Sequence, residues 1–206
     1  MDYITIATTG DATDFGDLLN FTQTLAGATS NTTRGLISGE SPGSNITEYI
    51  TIATTGNAQD FGDATVAMEG RKGAADSTRA LFASGYSHPT FQTINTIDYF
   101  TIATTGNAVD FGDMTYISGA AGGTSDSTRA VFMGGFTTPG QTTDTIRGLF
   151  YGGFSPAITG NYQNTVDQIT IATTGNAVDW GDIQLSTGTG RGAYVSGISD
   201  SHGGLS

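Results

Sequence analysis

One seventeen-residue segment occurs four times in this chain with little change, and this repetition constrains the fold more than any other feature. The copies begin at Asp2, Glu48, Asp98 and Asp167, and the third reads DYFTIATTGNAVDFGDM. Successive copies start 46, 50 and 69 residues apart. Repeat periods of about 40–50 residues are typical of propeller blades and solenoids. The sequence therefore predicts an array of similar units.

A second, shorter segment begins with arginine and occurs five times. Its copies start at Arg34, Arg79, Arg129, Arg147 and Arg191. Both segments are rich in branched and aromatic residues, which favour β-strands. In the third long copy, Phe100 and Ile102 would face one side of a sheet and Tyr99 the other. Neither side carries a charge there, so we expect neighbouring sheets to cover both. No stretch combines helical periodicity with helix caps, and the predicted class is all-β.

Local signals predict how each unit is built. Gly106 and Asn107 lie between two strand-like runs and predict a two-residue hairpin. Asp or Asn followed by hydroxyl residues predicts an Asx-type turn before the arginine strand, at 31–33, 76–78 and 126–128. Each unit is thus expected to contain three strands.

The order of the segments predicts how the array ends. We expect one repeat domain over 1–206, with units led by strands at 34–40, 79–86, 129–136, 147–154 and 191–198. The unit at 129–146 lacks the long segment and is interpreted as degenerate. The chain starts at a long segment and ends after an arginine segment, so the last strand would complete the first hairpin. This arrangement predicts a small β-propeller of four to five short blades with N/C-terminal strand closure.

Composition excludes several classes of partner. The chain has 19 Asp and Glu against 7 Lys and Arg, a net charge of −12. Nucleic-acid binding depends on clustered basic residues, so we expect no such partner. No run approaches the roughly 18 apolar residues of a membrane helix, and no secretion signal opens the sequence. Cysteine is absent, which excludes disulfides and thiolate metal sites.

Carboxylates recur in pairs, at Asp14/Asp17, Asp60/Asp63, Asp110/Asp113 and Asp179/Asp182. Acid–base catalysis needs one pair whose two members have different environments, whereas four equivalent pairs indicate a structural role. Calcium is a stronger candidate than catalysis, because Asn107, Asp110 and Asp113 offer the oxygen ligands that it prefers. We favour the simpler interpretation that Asp and Asn hydrogen-bond the backbone at the hairpin ends, and we expect no metal or other cofactor.

The arginines that open the short segments allow two interpretations. They could form a ring that binds anions. Each also has acidic or hydroxyl neighbours, as Arg79 has in Asp76, and a repeated residue usually serves the repeat itself. We therefore favour ion pairs between arginines and carboxylates of adjacent units.

The loops after the glycines differ most between units and are the predicted binding surface. Aromatic and polar side chains in such loops suit stacking on sugars or contact with proteins. The candidate partner-binding residues are Tyr86, His88, Phe91, Phe154, Asn161 and Tyr162.

The repeats resemble two known groups of proteins. An arginine strand, a glycine pair, an aromatic strand and a Thr-Gly turn resemble kelch repeats, with Phe15, Phe61, Phe111 and Trp180 in the place of the kelch tryptophan. The phrase (D/E)YITIATTGNAxDFGD is similar to repeats of virion structural proteins of marine bacteriophages, including cyanophages. This resemblance implies a non-enzymatic virion protein of a tail fibre, tail tip or capsid surface, assembled in the host cytoplasm. It would bind other virion proteins or a host glycan or protein, in symmetric copies within the particle.

Two other functions compete with this one. A carbohydrate-binding propeller module outside a virion is the alternative. A glycan-cleaving enzyme is the third class, and the fourfold equivalence of the acidic pairs argues against it.

Overall fold

The fold is all-β in a computed structural model that describes residues 1–19, 26–87, 90, 92–119, 122–133 and 165–182, with only the backbone at 165–168 and 179–182. These residues form several small antiparallel sheets and contain no helix. Among them, none lies in a helix with the length and hydropathy that crossing a membrane requires. The predicted all-β class is confirmed.

The strands form one hairpin and three sheets of four strands, each in sequential antiparallel order. The first hairpin comprises β1 (Asp2–Tyr3) and β2 (Thr13–Asp14). Sheet 1 comprises β3 (Gly27–Ser30), β4 (Arg34–Ser38), β5 (Ser44–Thr51) and β6 (Gln59–Met68). Sheet 2 comprises β7 (Lys72–Ala75), β8 (Arg79–Ser87), β9 (Gln92–Thr101) and β10 (Val109–Asp113). Sheet 3 comprises β11 (Gly122–Ser125), β12 (Arg129–Met133), β13 (Thr165–Thr170) and β14 (Val178–Asp182).

Each sheet has one strand more than the three we expected. The additional strands are β3, β7 and β11, which precede the arginine strands and consist mostly of Gly, Ala, Ser and Thr. Gly and Ala have low strand propensity, and these three strands lack the aromatic and branched aliphatic residues that mark the other strands. Most side chains of these strands are small because the first strands of adjacent sheets approach closely. A Cβ atom on Gly73 would lie less than 3.0 Å from the carbonyl oxygen of Ala28 in β3.

The expected two-residue hairpin at Gly106 and Asn107 is also wrong. β9 ends at Thr101 and β10 begins at Val109, so residues 102–108 form the connection. The amide of Gly106 donates to Phe61 of sheet 1, at 2.7 Å, instead of closing a turn within sheet 2. Tertiary hydrogen bonding therefore overrides the local turn signal.

The DFGD part of the long segment forms a β-bulge. The pairing of β9 with β10 shifts between Asp110 and Gly112, which leaves Phe111 as the additional residue. Gly112 has a φ of 145°, and the Oδ1 atom of Asp110 accepts a hydrogen bond from its amide at 3.1 Å. The extra residue directs the Phe111 ring into the core, where it is buried.

The hydrophobic core lies on both faces of sheet 2. Phe82, Phe100 and Ile102 pack against sheet 1, whereas Leu81 and Ile97 pack against sheet 3. Rings of Phe61 in sheet 1 and Phe100 meet edge to face, with centroids 5.6 Å apart. The prediction that neighbouring sheets cover both faces is confirmed.

The third sheet contains a long connection. β12 pairs with β13 from Arg129 opposite Thr170 to Met133 opposite Val166, and residues 134–164 join the two strands. The Arg129 strand is therefore the second strand of a four-stranded sheet. The rest of the unit at 129–146, the units at 147–154 and 191–198, and the expected terminal closure lie outside the described residues.

The predicted Asx turns are confirmed before the three arginine strands that the structure describes. In sheet 3, Asp126 Oδ1 accepts hydrogen bonds from the amides of Thr128 and Arg129, both at 2.7 Å. Asn31 makes the equivalent bonds with its amide oxygen in sheet 1. Hydrogen bonds from the Arg129 and Thr128 amides lower the pKa of Asp126 below its ordinary value of 3.8.

We therefore expect Asp126→Asn to lessen the acid sensitivity of the protein. A carboxyl group whose folded pKa is lowered contributes stability above its unfolded pKa, and this contribution is lost as pH falls through the folded value. Below about pH 4 the wild-type protein should lose stability relative to Asp126→Asn, because the neutral amide still accepts both hydrogen bonds. Urea unfolding of both proteins at pH 6 and pH 3 measures this difference. An equal loss in the two proteins would contradict the prediction.

Candidate functional site

The most regular chemistry in the structure lies at the junctions between successive sheets. At the second junction, between sheets 1 and 2, the amides of Gly106 and Ala108 donate to the carbonyls of Phe61 and Asp63, at 2.7 and 2.8 Å. The first junction, between the first hairpin and sheet 1, and the third, between sheets 2 and 3, contain the same two bonds at 2.7–2.8 Å. At these three junctions, the TTGNA sequence of one unit therefore binds the DFGD segment of the unit before it.

Side chains of the long segment reinforce each junction. Asn107 Oδ1 accepts a hydrogen bond from the Asp63 amide at 3.0 Å. Asn57 and Asn176 bond in the same way, at 3.0 and 3.1 Å, across the first and third junctions. The acidic residue that opens the segment also faces the preceding unit, since Glu48 accepts from the Leu19 amide at 2.7 Å. The near-identity of the copies thus has a physical cause, because successive copies make the same contacts at each of the three junctions.

The arginine side chains also cross the junctions, but they donate from the earlier sheet to the later one, opposite to the TTGNA amides. Arg34 Nη1 donates to the carbonyl of Ile102 at 2.7 Å, and Arg79 Nη1 donates to that of Ile171 at 2.8 Å. Their guanidinium groups lie 4.8 and 4.6 Å from the ring centres of Tyr49 and Tyr99. The expected pairs with carboxylates are replaced at these positions by carbonyl hydrogen bonds and cation–π contacts.

The calcium candidates serve different parts of the structure. Asn107 faces the second junction, the amide of Asp113 bonds to Asn176 at the third, and Asp110 stabilises the bulge. In the part of the chain that the structure describes, no three His, Asp or Glu side chains group as metal ligands.

A buried charged cluster lies between sheets 1 and 2 and was not predicted; its members are Glu40, Glu69, Arg71, Lys72 and Asp98. Arg71 Nη2 bonds to Asp98 Oδ2 at 2.7 Å, with both side chains fully buried, and to the carbonyl of Phe82 at 3.0 Å. Asp98 also accepts hydrogen bonds from the Thr65 hydroxyl and amide, at 2.6 and 3.2 Å. Burial lowers the pKa of the Arg71 guanidinium, and the charge of Asp98 opposes that shift.

The other charged residues of the cluster adjoin this pair. The Gly70 amide donates to the Gly39 carbonyl at 3.1 Å, which places Glu40 beside the stretch 69–72. Lys72 Nζ donates to Ser118 Oγ at 2.5 Å and lies 5.0 Å from the centre of the Tyr116 ring. Burying so many charged groups costs free energy unless they are paired and hydrogen-bonded. The cluster therefore sets this junction apart from an ordinary apolar contact between sheets. The sequence did contain a signal. Three of the four residues at 69–72 are charged, and one of them is the only lysine of a chain in which 13% of the residues are charged.

Of the six predicted partner-binding residues, Tyr86 lies in the described part of the chain and adjoins the cluster. Its backbone pairs with that of Glu69, through hydrogen bonds of 2.8 and 2.9 Å. The Tyr86 side chain is half-buried at the end of β8. His88, Phe91, Phe154, Asn161 and Tyr162 lie outside the described residues.

A shallow cleft of about 140 Å³ opens at the third junction, lined in part by Phe111, Ile169 and Val178. Pockets for small organic ligands usually enclose about 300–1,000 Å³. This cleft is therefore too small to hold such a ligand.

Comparison with known proteins assigns no family. No family model matches this chain, and no curated protein matches it.

Proposed function

We propose that this protein is a non-enzymatic structural component of a bacteriophage virion that presents a rigid surface to a binding partner. The observation that carries this proposal is the use of the repeated motif. At three junctions the TTGNA loop and the DFGD bulge form the same backbone hydrogen bonds. These residues are engaged in holding sheets together, which suits a scaffold better than a reactive centre.

The proposed scaffold is a small β-propeller of four to five blades, closed by strands from both ends of the chain. Three observations support it. Each sheet is a sequential four-stranded antiparallel meander, as in a propeller blade. Adjacent sheets pack face to face, and sheet 2 is covered on both sides. The first strands approach one another closely, since a Cβ atom on Gly123 of β11 would meet the carbonyl of Gly73 in β7.

The proposed binding surface lies at the end of the sheets that carries Tyr86. β8 pairs with β9 from Arg79 opposite Thr101 to Ser87 opposite Gln92, so Tyr86 and the TTGNA loop lie at opposite ends of sheet 2. The buried charged cluster underlies Tyr86 and fixes the neighbouring backbone through the Arg71–Asp98 pair. Such support favours a binding surface of defined shape. The proposed partner is another virion protein or a host surface protein or glycan.

Localisation tests the virion proposal directly. An antibody raised against the purified chain should label intact particles of a phage that encodes it, and the chain should be present in particles purified on a density gradient. Particles treated with pre-immune antibody serve as the control. Absence of the chain from purified particles would overturn the proposal.

We expect Tyr86→Ala to weaken partner binding at least about fivefold, since truncating an aromatic anchor at an interface costs about 1 kcal/mol or more. Binding is measured on an array of bacterial surface glycans and with disassembled virion proteins from the same phage. Thr104→Ala, at the opposite end of sheet 2, is the matched control and should bind normally. Unchanged affinity of a folded Tyr86→Ala protein would place the binding surface elsewhere. Glycan binding by a chain absent from particles would favour the carbohydrate-binding alternative.

A further inference from the structure

Equivalent residues of the four long segments differ sharply in exposure. Ile102 and Ile171 are 1% and 0% exposed, and their carbonyls accept the hydrogen bonds of Arg34 and Arg79. Ile52 and Ile6 hold the same position in the repeat but are 43% and 96% exposed. The isoleucine at this position is therefore buried where an arginine of the preceding unit donates to its carbonyl.

The first hairpin carries one half of a junction. Gly10 and Ala12 correspond to Gly106 and Ala108, whose amides cross the second junction. Within residues 1–19, 26–87, 90, 92–119, 122–133 and 165–182, no carbonyl accepts a hydrogen bond from Gly10 or Ala12. Asp11 replaces the asparagine of the other copies and retains an oxygen that can accept a hydrogen bond.

Sheet 3 carries the complementary half. Among the described strands, β14 lies at the edge of sheet 3, and it contains Trp180 and Asp182. These residues correspond to Phe61 and Asp63, whose carbonyls accept the junction bonds. Arg129 of the same sheet is exposed, whereas its equivalents Arg34 and Arg79 are half-buried and bonded across a junction.

We propose that the first hairpin binds sheet 3 of the same chain through a fourth junction. In it, Gly10 and Ala12 donate to the carbonyls of Trp180 and Asp182. Arg129 donates to the carbonyl of Ile6 and covers its side chain. This junction would close the array of sheets into a ring. The inference rests on the proposed propeller.

The hairpin of the same chain is the occupant, because one chain carries both halves of the junction. Two groups joined in one chain meet at a high effective concentration, which favours a contact within the chain over a contact between copies. The three formed junctions share one hydrogen-bonding pattern, and a repeated head-to-tail contact forms a ring when its rotation closes. A second copy of the chain is the competing occupant, and the tests below distinguish it.

Hydrogen exchange of the unmodified protein tests the junction without any substitution. Junction amides exchange through local opening, so Gly10 and Ala12 should exchange within about tenfold of the rates of Gly106 and Ala108. The measurement is made by NMR at two protein concentrations tenfold apart. Exchange of Gly10 and Ala12 at the rate of an unstructured peptide would overturn the proposal. Protection that depends on concentration would overturn it in favour of a second copy.

Cross-linking tests the same contact in the whole 206-residue chain, whose sequence contains no cysteine. Asp11→Cys with Asp182→Cys should form a disulfide within one chain as efficiently as Asn107→Cys with Asp63→Cys, the control at the second junction. Disulfide-linked dimers, or no bond where the control bonds, would overturn the proposal. Neither test depends on virion location or on a partner, so failure of the fourth junction and failure of the proposed function are distinguishable.

Discussion

Replacing Asp98 with alanine is expected to lower the free energy of unfolding by about 3–5 kcal/mol, the usual cost of removing one partner from a buried ion pair. The substitution leaves the Arg71 guanidinium fully buried beside the carbonyl of Phe82 without its counter-charge. It also removes the acceptor of the Thr65 hydroxyl and amide, so part of the link between sheets 1 and 2 is lost. Chemical denaturation monitored by circular dichroism measures the change.

Two further variants separate the contributions at this site. Thr65→Val keeps the ion pair and removes only a hydroxyl hydrogen bond, so it should cost about 1–2 kcal/mol. Arg71→Met combined with Asp98→Leu removes both charges and should recover most of the stability lost in Asp98→Ala. If Asp98→Ala costs less than Thr65→Val, the pair does not stabilise this junction as described.

Replacing Gly62 with alanine is expected to destabilise the protein by about 3 kcal/mol or more, as backbone strain and overpacking combine. Gly62 has a φ of 142°, and an added Cβ atom would lie less than 3.0 Å from the carbonyl oxygen of Gly106 in the next sheet. Because that atom belongs to the backbone, it can yield only if the DFGD bulge and the TTGNA loop separate. Thermal and urea unfolding measure the loss.

Gly106→Ala is the matched control for this prediction. Gly106 has a φ of 159°, but a Cβ atom there would have no neighbour within 4 Å. It should therefore cost clearly less than Gly62→Ala, and the difference reports the contact between sheets. Equal losses in the two variants would show that backbone conformation, and not the junction, limits substitution at Gly62.

Features that depend on residues close in sequence could be predicted. Phe100 of β9 and Ile102, directly after that strand, pack on one side of sheet 2 and Tyr99 on the other, as strand alternation requires. The Asx turns formed because the acceptor at Asp126 lies two and three residues from its donors. Both depend on geometry that the local chain specifies.

Features that depend on distant residues were missed. Asn107 was predicted to form a hairpin turn, yet its side chain bonds to an amide 44 residues away. The arginines were expected to pair with carboxylates, but the carbonyl that Arg34 reaches lies 68 residues along the chain. The buried cluster was not predicted because 69–72 has the composition of an exposed loop.

The sequence by itself determined the class, the unit and its repetition, because strand alternation, turn residues and copy number are properties of the chain read in order. Only the tertiary structure decided what the repeated residues do. Gly, Asn and Asp carry the same local signal whether they form a turn or bond to a neighbouring sheet. The choice depends on which amides and carbonyls the packed sheets bring within hydrogen-bonding distance.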